Sequence, residues 1–121
     1  MSRRRRDPGQ ATVELALALP LVCLLLFGTV QVAVIGRDQL AVQLAAREAA
    51  RAASASPDPG VGSAAAHRAV ALRPLTVGVS DSGGTVTATV TYTDHTDVPL
   101  IGALLPDVVL TATVTMAVEP P

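Results

Sequence analysis

Few side chains in these 121 residues could do chemistry, and they are scattered. His67 and His95 are the only histidines. His95 stands in TDHTD between Asp94 and Asp97, residue types that can bind a metal ion or move a proton. A solvated polar loop accounts for the same residues without any reaction. Ser80, Ser82, His95 and Asp97 include the members of a nucleophilic triad, but no nucleophile-elbow motif surrounds either serine. DSGG (81–84) leads into threonines, which is the pattern of a hairpin turn and not of a phosphate-binding loop. His67, in an alanine-rich stretch, is expected at the surface. Cys23 is the only cysteine, so neither an intramolecular disulfide nor a cysteine metal cluster can form. These residues predict no enzyme, no metal and no cofactor.

The unusual residue is Glu14. MSRRRRDPGQATVELALALP brings Arg3, Arg4, Arg5 and Arg6 up to an apolar run and sets one carboxylate at its start. A charge in a membrane-spanning helix costs roughly 2.5–3.5 kcal/mol at the helix centre. From Leu15 to Ile35 no residue is charged. At about 1.5 Å per residue that run covers the roughly 30 Å of a hydrocarbon core. It is longer than the apolar core of a secretory signal and lacks a small-residue cleavage site. The net charge of −1 divides unevenly: residues 1–9 carry +3 and residues 37–121 carry −3, with no lysine anywhere. The basic block is too short for a nucleic-acid surface. It is suited to fixing orientation, with the N-terminus in the cytoplasm and the remainder outside.

The elements that must position Glu14 follow from periodicity. A helix is expected from about Ala11 to Ser54, because Gln39, Gln43, Arg47 and Arg51 recur at i+4 beyond the apolar run. Pro20 removes one hydrogen bond within it and predicts a kink. SASPDPGVGS (54–63) reads as a turn or linker. Ser63 is the expected cap of a short helix ending before Pro74. The period then changes to two. LTVGV (75–79), TVTATVTYT (85–93) and VLTATVTMAV (109–118) alternate apolar and polar residues, as half-buried antiparallel strands do. The connection 94–108 has an apolar centre that must meet the sheet, a partner or the membrane surface. The pentapeptide TATVT occurs at 87–91 and 111–115, which reads as two strands of like composition and not as a repeat architecture. The fold class is α+β, with about three strands. The expected divisions are a basic leader 1–9, a transmembrane helix 10–36, a helical stalk 37–55, a linker 56–62 and a small external domain 63–121.

Gly9 before QATVE and an unbroken apolar helix resembles the class III signal of type IV pilins and pseudopilins. GQATVELALALPLVCLLLFGTVQ, an arginine-spotted helix and threonine-rich strands around VPLIGALLP resemble TadE-like minor pseudopilins of tight-adherence (Flp-type) pilus systems. Leu15 follows Glu14 where the major pilins usually have tyrosine, and the soluble part is longer than theirs. Both differences favour a minor component. The resemblance implies cleavage between Gly9 and Gln10 by a prepilin peptidase, which leaves Glu14 as the fifth residue of the mature chain. It also implies that Glu14 faces the new N-terminal amine of a neighbouring subunit. The implied partners are that peptidase, other pilins or pseudopilins through the N-terminal helix, the assembly platform and membrane lipid. The implied location is the cytoplasmic membrane, with incorporation into a surface pilus. An uncleaved single-pass protein with an external adhesion or interaction domain is the alternative. A secreted domain behind an ordinary signal peptide is a third.

Overall fold

The computed structural model describes residues 8–94 and 107–118, in the order α1 (Pro8–Ser54), α2 (Gly60–Ala69), β1 (Leu75–Ser82), β2 (Thr85–Asp94) and β3 (Val108–Ala117). The α+β class is as expected from the period change. Arg3, Arg4, Arg5, Arg6, His95, Asp97 and the apolar centre of the 94–108 connection lie outside the described residues.

Helix α1 starts at Pro8, ahead of the expected Ala11. Proline suits a first helical position, since the N–H it lacks would be unbonded there anyway. The helix runs 47 residues as one element through Pro20, roughly 70 Å at 1.5 Å per residue. It ends with Ser54 Oγ donating to the Arg51 carbonyl at 2.8 Å.

Helix α2 is displaced from its expected span. It begins at Gly60, inside the expected linker, and Ser63 is an interior residue of it, not its cap. Asp58 is the reason: its Oδ1 accepts the Gly60 N–H at 2.9 Å, and its carbonyl accepts the Val61 N–H at 3.3 Å. The far end also comes early. Val70 is extended (φ −137°, ψ 153°), and both Val70 and Leu72 pack against the core. Tertiary packing of these two side chains overrides the helical reading of AVALR. Arg73 then closes the end, its guanidinium donating to the carbonyls of His67 (2.8 Å), Val70 (3.0 Å) and Leu72 (2.7 Å).

The sheet is antiparallel in the order β1–β2–β3. A two-residue turn joins β1 to β2, with Gly83 at φ +59° and Gly84 at φ +90°, as the DSGG reading required. Register aligns Val77, Val90 and Ala112 across the three strands, and likewise Val79, Ala88 and Val114. The two TATVT segments pair with each other along their whole length, Thr87 opposite Thr115 and Thr91 opposite Thr111. Antiparallel pairing of the same pentapeptide sets Ala88 against Val114 and Val90 against Ala112, so small faces large on the inner side. On the outer side Thr87 and Thr115 hydroxyls lie 3.0 Å apart, and those of Thr89 and Thr113 3.4 Å apart.

Both helices cover the inner face of the sheet. The stalk half of α1 lies over β2 and β3, and α2 sits between α1 and β1. The α1 side of the core is a row of alanines, Ala45, Ala46, Ala49, Ala50 and Ala53, with Val42. Small side chains let the helix backbone come close to the sheet, but they bury little apolar surface. Val42 and Val90 are the largest fully buried side chains, so the domain has a thin core and modest stability.

Candidate functional site: the bare half of the long helix

The sheet and α2 cover only the C-terminal half of α1. Before it, Leu15, Leu17, Leu19, Leu21, Leu25 and Val32 are all exposed. In water so much contiguous apolar surface is unfavourable, and a helix of this length and composition meets the requirement for crossing a membrane. Thr29 is consistent with that environment, since its hydroxyl donates to the Leu25 carbonyl at 2.8 Å and needs no water. Pro20 lacks an amide hydrogen, so the Ala16 carbonyl has no helical donor.

Gly9 and Gln10 form part of the first turn of α1, and Glu14 is exposed one turn further on. The first four N–H groups of a helix have no partner within it. Glu14 makes no ion pair among the described residues, and no other acid or base lies between it and Arg37. Arg37 and Asp38 mark the end of the apolar run with an ion pair, Nε to Oδ1 at 3.5 Å.

Two residues of α1 escaped the sequence reading. Gln31 and Asp38 are each 4% exposed, although one lies in an apolar run and the other is a charged residue just past its end. The signal was available: 31, 35, 38, 42, 45 and 49 step by four and three, which is one helix face. His67 is half-buried and its Nδ1 lies 2.8 Å from the Ser63 carbonyl, a local helical bond. Asp94 is buried at the end of β2. Among the described residues no group of three or more His, Cys, Asp or Glu is placed to hold a metal ion.

The fold and the bare helix define a class, an α+β domain carried on a single long apolar helix that can serve as a membrane anchor. The family model described as TadE-like protein matches residues 9–51, which are the bare half of α1 and nearly all of its stalk. Over that stretch the chain is similar to TadE-like proteins. No curated protein and no solved structure matches the chain.

Proposed function

We propose that this chain is a minor pseudopilin of a tight-adherence pilus, a structural or assembly subunit anchored by α1 with its N-terminus inside. The observation that carries the reading is the bare apolar half of α1, which lies within the TadE-like match and continues into the stalk bearing the domain. In this reading a prepilin peptidase cuts between Gly9 and Gln10. The Gln10 amine of one subunit then faces Glu14 of its neighbour. Two opposite charges that are separately costly in lipid become tolerable as a pair.

Sequencing the mature N-terminus in cells with an active prepilin peptidase tests the first step, and Gln10 is the residue expected. A mature chain starting at Met1 or Ser2 would overturn it. Glu14→Ala should insert into the membrane normally yet fail to co-purify with pili. Its undiminished recovery with pili would remove the pairing role. One observation supports an uncleaved anchor with an external interaction domain: α1 begins at Pro8 and already contains the Gly9–Gln10 bond. The same sequencing separates the two readings.

A further inference from the structure

Three sets of contacts fix which end of the domain faces the membrane. Gly62, near the start of α2, lies against Ala49 and Ala53 of α1 and Val79 of β1. Later in α2, Ala65, Arg68 and Ala69 line a hollow with Leu44 and Glu48, lower on α1. Helix α2 therefore descends along α1 towards the membrane, and β1 sets out from the lower end at Leu75. Register places Leu75 level with Tyr92 and Leu110, and Asp94 beside Val108 beyond them. The Asp94–Val108 end of the sheet is thus the lowest part of the domain among the described residues.

That end reaches the level of the bilayer. The charge-free run of α1 closes at Gly36, so the outer headgroups stand near Arg37. Ile35, below that level, already packs against the core of the domain. Gln31, which is buried, lies roughly 9 Å below Arg37. On the other side of the same turns Val32 is 71% exposed, and Ala33 and Gly36 are exposed as well. A bilayer that stopped short of the domain, at Val30, would leave this apolar side in water. Helix and domain therefore overlap in height over the last turn of the spanning run.

The side chains at the foot of the sheet suit that position. Positions 111, 113 and 115 of β3 are exposed threonines, but Val109, below them, is apolar and 60% exposed. Tyr92, the only tyrosine, is half-buried on the neighbouring strand, and tyrosine is enriched where headgroups meet acyl chains. Asp107 is exposed just below Val108 and limits the depth, since a carboxylate is costly among acyl chains.

We propose that the Asp94–Val108 end of the sheet is seated among the outer headgroups of the bilayer that α1 crosses, with Val109 against lipid. The occupant of this surface is lipid because the surface stands at the height where α1 itself is still in lipid. Two contacts with one bilayer then fix the tilt of α1 as well as its depth. The seat rests on the single-pass reading of α1 and is independent of peptidase cleavage.

The test uses the full chain in phosphatidylcholine vesicles whose lipids are brominated high on their acyl chains. The chain has no tryptophan, so a single introduced one reports its own depth by quenching. Val22→Trp reports the anchor, Val109→Trp the seat, and Thr113→Trp the same face of β3 roughly 13 Å higher. Quenching at positions 22 and 109 should each exceed that at 113 several-fold. Equal quenching at 109 and 113 would overturn the seat, and with Val22→Trp quenched it would leave the anchor standing. An unquenched Val22→Trp would overturn the anchor and the seat with it. A smaller substitution gives a second measurement. In a Cys23→Ser background, Val109→Cys should react several-fold more slowly than Thr113→Cys with a membrane-impermeant maleimide, and equally fast once the chain is denatured. Equal rates in intact vesicles would also overturn the seat.

Discussion

At Gly62 one hydrogen decides whether two helices can touch. A Cβ there would lie 3.0 Å from the Ala49 carbonyl oxygen, 3.0 Å from Val79 Cγ2 and 3.3 Å from Ala53 Cβ. Two of these neighbours belong to α1, and its backbone cannot give way without disturbing the alanine row. Gly62→Ala should therefore destabilise the domain by about 1–3 kcal/mol, the usual cost of overpacking. The lowered urea midpoint of the detergent-solubilised chain would show it. Gly36→Ala is the matched control, and it should leave the midpoint unchanged or raise it, because its Cβ meets open space and alanine favours the helix. Arg73 is the other residue whose role depends on geometry. Its planar fork reaches three carbonyls, which a lysine ammonium cannot reproduce. Both Arg73→Ala and Arg73→Lys should speed amide hydrogen exchange in the last turn of α2 while leaving β2 protected.

Among the elements, the hairpin is the most locally encoded. Positive φ at Gly83 and Gly84 is cheap only for glycine. Gly83→Val should cost about 1–2 kcal/mol, read as a shift of the urea midpoint without a change in slope. The strands were legible for a related reason: a period of two over valines and threonines admits one buried face, and a one-residue slip would turn threonines inward. The limits of α2 were not legible. Asp58 starts the helix early through a bond to Gly60 two residues on, a local signal the reading passed over, whereas Val70 leaves it early for the core, a contact with residues far along the chain. Helix α1 shows both situations at once. Its apolar run and its i+4 polar row were plain, but the sequence did not reveal that the alanines from 45 to 53 face the sheet and α2 while Leu40 faces outward.

For the whole molecule, orientation carries the functional reading. Four arginines before α1 oppose three, Arg37, Arg47 and Arg51, in the stretch just after its apolar run, where Arg37 is paired with Asp38. Replacing Arg3, Arg4, Arg5 and Arg6 with asparagine should put a substantial fraction of the domain on the cytoplasmic side. Protease added to intact spheroplasts would then leave that fraction uncut, whereas the parent domain should be fully digested. Unchanged digestion would assign orientation to something other than the arginine block. The thin core has a consequence at this scale too. With Val42 and Val90 as the largest fully buried side chains, the domain depends on α1 as one wall of its core. Helix and domain are therefore stabilised together.

The sequence by itself determined the elements whose causes are local: an apolar run of spanning length, a diglycine turn, alternating strands, and a glycine followed at a fixed interval by Glu14. Helical hydrogen bonds, turn dihedrals and pleat alternation are satisfied within a few residues, so composition and spacing reveal them. Only the tertiary structure decided which face of α1 the sheet covers, that Gly62 is the point of closest helix contact, and that the two TATVT segments pair with each other. These depend on residues far apart in the chain, and a buried face is defined by whatever lies opposite it. Glu14 stands on the same divide. Its position was evident from the first twenty residues, and the charge that would answer it belongs to another chain.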